Sequence, residues 1–265
     1  MGTQKTNITV LSVLVTLQRN SDTHILSHPP GVDDAAKRAL AGRVIINDIS
    51  WYVPHFTPSV PNQKLMLTHI TNKTPTELSY IKRPSYMKDV TTENNWTFEL
   101  GVGNGIDVPI HIIVDFMQRD QFNQQHRNND TFYRPSVVHA QAIVGSEKFP
   151  DAGINCNYGI DKYSQAYGEI VSCFRHLSKD NILQPYITQK DFVTSNEYLN
   201  DNPGYKLYVF DSRHHQNFSS AQPIKVMFDF RPAVPAATNL IGYALLLTNK
   251  KISISSDGNR QFDLI

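Results

Sequence analysis

The stretch "IGYALLLTNKKISISSDGNRQFDLI", residues 241–265, decides whether this chain ends in a membrane anchor or in a β-sheet. Its apolar run covers residues 240–247, whereas a membrane-spanning helix needs about 20 mostly apolar residues. Further along, Ile252 and Ile254 alternate with serines, and this period of two is typical of a half-buried strand. The stretch therefore predicts β-structure and no membrane span.

Two turns are predicted within the same stretch. Asn249 and Lys250 separate the apolar run from the alternating residues, and Asn tolerates the positive φ that tight turns require. Asp257 and Gly258 supply a second turn signal. The chain is therefore expected to end as strand, turn, strand, turn and short strand.

Composition places the chain among globular proteins. Of its 265 residues, 40% are hydrophobic and 18% are charged, which is enough to bury a core and too apolar for a disordered chain. The net charge of +1 indicates no chain-wide basic surface, so we expect no specific nucleic-acid partner. The two cysteines, Cys156 and Cys173, fit neither a disulfide framework nor a zinc site and are expected to be buried thiols.

Most of the chain has the pattern of short strands ended by Gly, Pro or Asn. The predicted strands before the terminal stretch lie within residues 8–17, 43–53, 63–71, 77–90, 94–103, 107–120, 136–150, 205–213 and 223–234. Residues 31–42 predict a helical turn and residues 188–199 a second short helix. A change of period occurs in residues 161–178, where aromatic and aliphatic residues recur at helical spacing and predict an amphipathic helix.

About ten or eleven short strands with one or two inserted helices indicate a β-sandwich or barrel. A jelly roll has eight strands in two packed sheets. We therefore predict a mostly β chain, a jelly-roll β-sandwich with small helical insertions and two or three additional strands at its front.

No pattern in the sequence indicates a catalytic, metal or cofactor site, so we predict a protein that is not an enzyme. The stretch "GVGNG", residues 101–105, lacks the remainder of any phosphate-binding loop. No serine or cysteine lies in a nucleophile elbow. Tight turns are predicted on both sides of Cys156, so a reactive thiol at this position stays an open alternative. His111 and His139 lie in apolar strands and are expected to be core or interface histidines. The other histidines of interest lack the spacing of metal ligands: His24, His28, His214 and His215.

Aromatic residues beside Pro, Asn or Arg suggest binding or assembly, because such residues often anchor protein–protein interfaces. Ordinary packing within the sandwich is the competing interpretation for each of them. They are Trp51, Tyr52, Phe56, Tyr80, Tyr86, Phe132, Tyr133, Tyr205 and Tyr208.

Three segments, taken in order, resemble the double jelly-roll capsid-like proteins of Polinton/Maverick elements and adintovirus-like viruses. "RVIINDISWYVPHFTPS" is similar to the stretch near the passage between that family's two rolls. "QAYGEIVSCF" resembles its Tyr-rich helical insertion, and "SSDGNRQFDLI" its terminal hairpin. The residues that carry these motifs, all structural and none catalytic, are Trp51, Pro54, His55, Tyr167, Gly168, Ser256, Asp257 and Gly258.

The resemblance implies a structural protein of a viral shell. Complete family members carry two jelly rolls, so residues 1–58 would be the closing part of a first roll and residues 59–265 the second. It further implies homotrimers that tile an icosahedral shell, contacts with minor capsid proteins, and a place in the virion, or inside the cell for a domesticated copy. The loops 118–135 and 196–204 would supply outer or inter-capsomer surfaces.

Two other classes of protein use the same fold. A solitary jelly roll can be a carbohydrate- or protein-binding module, and the Asn- and Asp-rich loops "NQQHRNND" and "YLNDN" fit that alternative. A cupin-type enzyme would need two or three histidines and a carboxylate that converge inside the barrel, and the sequence has no such pattern.

Overall fold

The structure is a computed structural model that describes residues 43–50, 52, 57–72, 76–100, 109–119, 135–156, 162–177, 187–189, 192, 207–213, 223–234, 239–254 and 260–263. The helices in these ranges are α1 (Val60–Thr71) and α2 (Ser164–Leu177). The strands are β1 (Thr76–Lys82), β2 (Ser85–Asp89), β3 (Asn95–Leu100), β4 (Pro109–Gln118), β5 (Val137–Val144), β6 (Glu147–Asn155), β7 (Tyr208–Asp211), β8 (Ile224–Phe230), β9 (Leu240–Ile254) and β10 (Arg260–Asp263).

Strands β2 to β9 form a jelly roll of two antiparallel sheets. One sheet has the order β2–β9–β4–β7 and the other the order β3–β8–β5–β6. The pairs are nested, because β2 pairs with β9, β3 with β8, β4 with β7 and β5 with β6. These nested pairs together make one long hairpin. When this hairpin folds over into two sheets, β4 also pairs with β9 and β5 with β8. The predicted jelly-roll sandwich is therefore confirmed by its topology.

The two described strands beyond these eight both join β9. β1 precedes the jelly roll in the chain, and β10 follows it and pairs with Lys251–Ile254 in antiparallel register. The additional strands were expected only at the front, so their distribution differs from the prediction. The described chain also divides into two compact units, one within Ile45–Ile81 and Asn249–Ile265, the other within residues 43–44 and Lys82–Thr248. The second unit contains β2 to β8 and the first part of β9.

The turn predicted at Asn249 and Lys250 is wrong, because β9 runs through both residues without interruption. Burial alternates along this part of the strand, with Asn249 exposed, Lys250 buried and Lys251 exposed. The period of two therefore continues across the polar residues. The second turn signal, at residues 257 and 258, lies outside the described residues.

Residues 63–71 were predicted as a strand and instead belong to α1. Pro61 occupies the first turn, where its missing N–H costs nothing, and the Gln63 N–H donates to the Ser59 carbonyl at 2.9 Å. Gln, Lys, Leu and Met, which follow, are strong helix formers. The strand predicted at 43–53 is also absent from the described part of that segment, since β-propensity without a paired neighbour leaves the backbone groups of a strand unsatisfied.

The strands predicted in residues 94–103, 107–120, 205–213 and 223–234 are confirmed, and residues 77–90 contain two strands, β1 and β2. The helix predicted in residues 161–178 is α2, and the buried residues Ala166, Ile170 and Cys173 mark its inner face. Residues 136–150, read as one strand, form the hairpin β5–β6, with Gly145 at φ +62° in its turn. Residues 8–17 and 31–42 lie outside the described residues, as does most of 188–199.

Aromatic side chains fill the space between the two sheets in the second unit. Phe228 of β8 lies at their centre, with ring centroids 5.0 Å from Phe116, 5.2 Å from Tyr208 and 6.0 Å from Trp96. Gly242 of β9 makes room for the indole, because a Cβ there would lie 2.2 Å from Trp96. The core is thus closely packed around rings that face one another edge to face or at a tilt.

Candidate functional site

A cluster of polar side chains lies where α2 packs on the outer face of the jelly roll. Tyr208 and Phe210 of β7 point into the aromatic core, so Val209 and Asp211 point to the opposite face. His111 of β4 is the register partner of Asp211 and shares that face. α2 contacts β7 and encloses the cluster on its outer side.

A histidine pair joins the sheet to the helix. His111 is fully buried, and its Nε2 lies 3.2 Å from Nδ1 of His176 on α2. One of the two nitrogens donates and the other accepts. The second ring nitrogen of His111, Nδ1, has no hydrogen-bond partner among the described residues and lies 4.0 Å from Asp211 Oδ1. Burial lowers the pKa of His111 to about 4 because the charged imidazolium loses its hydration.

The turn that follows β7 holds an arginine against the same carboxylate. Arg213 donates from its backbone N–H to Asp211 Oδ1 at 3.0 Å and from Nε to the same oxygen at 2.9 Å. The buried Ser212 between them donates from Oγ to the Pro109 carbonyl at 2.7 Å. Burial acts to raise the pKa of Asp211, but the hydrogen bonds from Arg213 outweigh it and hold that pKa below its usual range.

A cavity of about 530 Å³ opens beside this cluster. The residues that line it are Gly168, Val171, Ser172, Arg175, His176 and Arg213. All the titratable groups among them are bases, while Asp211 lies behind Arg213. A Cβ added to Gly168 would meet no atom within 4 Å. The absence of a side chain there leaves the cavity wall open.

The cysteine of α2 beside the cluster is not activated as a nucleophile. Burial and then the nearby Asp211 raise the pKa of Cys173 to about 12, so its thiolate is scarce at neutral pH. Within the described ranges, no three His, Cys, Asp or Glu residues are grouped so that they could hold a metal ion. The arrangement is suited to binding a charged group.

A partly buried carboxyl lies further along β4. Asp115 is on the same face as His111 by strand alternation, and its buried Oδ1 has no hydrogen-bond partner among the described residues. Burial raises the pKa of Asp115 to about 7. In its charged form this side chain carries a cost of desolvation, which no hydrogen bond to Oδ1 from the described residues offsets.

Of the residues that carry the family resemblance, the structure describes two, both on α2. Tyr167 donates from its hydroxyl to the Ile187 carbonyl at 3.3 Å, and its ring centroid lies 5.7 Å from that of Phe192. Gly168 lines the cavity. The remaining six lie outside the described residues: Trp51, Pro54, His55, Ser256, Asp257 and Gly258.

The predictions for single histidines and cysteines have separate outcomes. His111 is confirmed as a core histidine, whereas His139 is half-buried, with Nδ1 4.0 Å from Asp229 Oδ2. Cys156 and Cys173 are confirmed as buried and not disulfide-bonded. His24, His28, His214 and His215 lie outside the described residues, as does the loop 101–105.

Sequence reasoning missed His176, Asp211 and Arg213. The only signal for them is the tripeptide "DSR" at a predicted strand end, where a carboxylate precedes an arginine by two residues. Their approach to His111 depends on strand pairing and on the seating of α2. Neither can be read from local periodicity.

Exposed apolar side chains are concentrated in Ile45–Ile81, in the first compact unit. Tyr52 is 89% exposed and Ile45 is 71% exposed. The others are Ile46, Ile49, Val60, Leu65, Met66, Leu67 and Tyr80. We call this set the apolar surface of the first unit. Large exposed apolar patches mark interaction surfaces.

The aromatic residues predicted as interface anchors divide between surface and core. Tyr52 and Tyr80 are exposed, whereas Tyr208 is buried at the centre of the sandwich and Tyr86 packs partly against the core. Trp51, Phe56, Phe132, Tyr133 and Tyr205 lie outside the described residues.

Neither described helix is long and apolar enough to cross a membrane.

No protein-family model matches the chain, and no curated protein matches it. Among solved structures, it is similar to the Sputnik virophage structure from cryo-EM, with 10% identity, a TM-score of 0.42, and 72% of this chain and 39% of that chain covered. It is similar to the mavirus major capsid protein at 13% identity and TM-score 0.34, covering 72% of this chain and 41% of that one. It is also similar to the PBCV-1 virus capsid, at 8% identity and a TM-score of 0.39, with 77% of this chain and 54% of that chain covered.

The chain therefore spans less than two thirds of each of these structures.

Proposed function

We propose that the chain is a structural, capsid-like protein that acts by self-association. The observation that carries the proposal is the apolar surface of the first unit, whose large side chains are exposed to water in the single chain. Such side chains are unfavourable in water, and a second protein surface would bury them at about 25 cal/mol per Å². The ordered motifs that resemble double jelly-roll capsid-like proteins support the same role.

We further propose the finer assignment that the resemblance implies. Residues 59–265 would form the second roll of a double jelly roll, and residues 1–58 the end of the first. The chain would derive from a Polinton/Maverick or adintovirus-like element and form homotrimers that contact other capsomers and minor capsid proteins in a virion. The loops 118–135 and 196–204 would face outward or toward neighbours.

The composition of the interior favours a structural role over a cupin-type enzyme. Cupin chemistry needs histidines that converge inside the sandwich. Here the inward positions of β4, β7 and β8 are apolar or aromatic: Ile112, Val114, Phe116, Tyr208, Phe210, Val226, Phe228 and Phe230. A rigid, tightly packed wall is what a shell requires of its building block.

The alternative is a jelly-roll module that binds carbohydrate or protein without assembling. The observation that favours it is the polar composition of the loops "NQQHRNND" and "YLNDN". Calcium-dependent retention on a glycan array by a monomeric chain would support this alternative.

The experiment that tests the capsid-like proposal is the absolute mass of the purified full chain by light scattering, across a concentration series, with particles examined by electron microscopy. We expect trimers or larger assemblies whose fraction grows with concentration. A mass that stays at that of one 30.1 kDa chain at every concentration would overturn the proposal.

A further inference from the structure

We infer that the cavity lined by Ser172, Arg175, His176 and Arg213 is a binding site for a phosphate group. The inference does not depend on the assembly role proposed above, because the cavity lies wholly within the second compact unit.

The lining presents donors and positive charge to the cavity. Two guanidinium groups, an imidazole and a hydroxyl belong to it, and all of its titratable side chains are bases. A guanidinium matches the oxygen spacing of a phosphate and binds it by charge-assisted hydrogen bonds. Several donors on different residues suit a group with three or four oxygens better than a carboxylate with two.

Nearby carboxylates reduce this charge less than their number suggests. Asp211 is committed to Arg213. Glu169 is not among the residues that line the cavity, and burial and then the charge of Asp211 raise its pKa. The C-terminal carbonyls of α2 oppose an anion, and Arg175 and His176 of its last turn offset them.

Arg213 is held in place before any ligand arrives. Its backbone N–H, Nε and Nη2 all donate hydrogen bonds to the carboxylate of Asp211. A guanidinium has five N–H donors, so the Nη1 group keeps two for a ligand. The bond from Ser212 to the Pro109 carbonyl fixes the turn between them. Ordering this side chain in advance lowers the entropic cost of binding.

His176 is positioned in a similar way. Its Nδ1 contacts the buried His111 at 3.2 Å, which leaves Nε2 on the other side of the ring. When Nδ1 accepts the bond from His111, Nε2 carries the hydrogen and can donate to a ligand. The histidine pair thus orients a donor of the cavity from the sheet beneath it.

The cavity has room for a phosphate carried on a larger body. Its volume of about 530 Å³ lies within the range of small-molecule sites, roughly 300 to 1,000 Å³. Gly168 keeps this space open, since a larger side chain there would project into open space. A substitution at this position can therefore fill the cavity without touching its basic residues.

The test is calorimetric titration of the full chain at pH 7 with inorganic phosphate, at constant ionic strength maintained with chloride. We expect saturable binding close to one equivalent, with acetate at least tenfold weaker. Binding that does not saturate would overturn the inference, because phosphate also stabilises proteins by general exclusion from their surface. Equal affinity for acetate would overturn the assignment of the ligand as phosphate.

Amino-acid substitutions test whether phosphate binds in this cavity. Arg175→Gln should weaken phosphate binding about tenfold or more, as expected for one lost charge-assisted hydrogen bond. Arg231→Gln removes the same charge from an exposed position outside the cavity and should change affinity less than about twofold. Gly168→Leu should abolish binding while circular dichroism stays unchanged. Equal losses in the Arg175 and Arg231 variants would sink the idea.

Discussion

At the residue scale, burial shifts the pKa values of two groups on β4 in opposite directions. The pKa of His111 is lowered to about 4, and that of Asp115 is raised to about 7. In both cases burial in a low dielectric disfavours the charged form. The two residues therefore change the stability of the protein in opposite directions as pH varies, over overlapping pH ranges.

His111 should make the protein less stable in acid. Its pKa in the unfolded chain is near 6.5, so between pH 6.5 and 4 the unfolded chain binds the extra proton. The free energy of unfolding is highest above pH 6.5 and falls by about 2 to 3 kcal/mol as pH drops toward 4. The charged or titratable groups that face this ring are His176, Asp211 and Arg213.

His111→Gln tests this contribution, because Gln keeps a hydrogen-bonding group toward His176 without titrating. Urea denaturation at intervals between pH 4 and 7.5 should show a smaller loss of stability in acid for the variant than for the wild type. His139→Gln is the matched control, on a half-buried residue. Parallel curves for the wild type and the His111 variant would contradict the prediction.

Asp115 should make the protein less stable as pH rises. Its pKa is higher folded than unfolded, so stability falls as pH increases from about 4 to 7. Asp115→Asn removes the ionisation and should raise the free energy of unfolding at pH 8 by about 2 kcal/mol, with little change at pH 4. The measurement is urea denaturation at both pH values, with the exposed Asp151→Asn as the control.

At the element scale, two glycines of the second unit have opposite roles. Gly168 lies within α2 with open space where a Cβ would be, whereas Gly242 in β9 lies against the indole of Trp96. The first has no packing reason to lack a side chain. The second does.

Gly168→Ala should stabilise the protein by about 0.5 to 1 kcal/mol, because alanine loses less backbone entropy in a helix. Gly242→Ala should destabilise it by about 1 to 3 kcal/mol, since the new methyl would displace Trp96 from its packing. Thermal and urea unfolding of the two variants check both signs together. A destabilised Gly168 variant would mean that this position of α2 is not regular helix.

Helix α1 is the element whose exposed residues bear on assembly. Leu65, Met66 and Leu67 are each about half exposed or more, and α1 is only weakly segregated into apolar and polar faces, as its sequence "VPNQKLMLTHIT" indicates. Tertiary contacts within one chain leave much of its apolar surface in water.

Leu65→Glu should reduce self-association at least tenfold in apparent dissociation constant while it preserves the monomer fold, because a charge would have to be buried at the interface. Light scattering of the variant against the wild type measures the shift, and circular dichroism checks the fold. Asn62→Glu adds the same charge to the same helix at an exposed polar position and is the control. Unchanged association of the Leu65 variant would exclude this residue from the interface.

At the scale of the whole molecule, the nested strand pairs explain why the jelly roll behaves as one unit. β2 and β9 are partners although about 150 residues separate them along the chain. Pairings of such long range close large loops and are slow to form. The inner pairs, from β3 with β8 to β5 with β6, are separated by successively fewer residues, so each closes a shorter loop than the pair outside it. A run of consecutive strands that contains both β2 and β9 must therefore include every strand of the jelly roll.

Local patterns were sufficient to predict most of the elements. Strand patterns identified β3, β4, β7 and β8 and the segment that contains β1 and β2, and helical spacing identified α2, whereas β5 and β6 were predicted as one strand. Local patterns failed at α1, where Thr and Ile suggested a strand although Gln, Lys, Leu and Met favour helix. They also failed at Asn249, which suits a turn but lies within a continuous β9. In each case local preference was ambiguous, and strand pairing or helix formation decided the outcome.

The sequence by itself determined the class of this protein: globular, mostly β, with one amphipathic helix and enough strands for a jelly roll, because side-chain periodicity is a local property. Only the tertiary structure decided which strands pair and which side chains meet. His111, His176 and Arg213 are far apart in the chain, and they converge because β4 pairs with β7 and α2 packs over both. Charge, burial and cavity shape at that cluster arise from contacts between distant segments, which periodicity does not record.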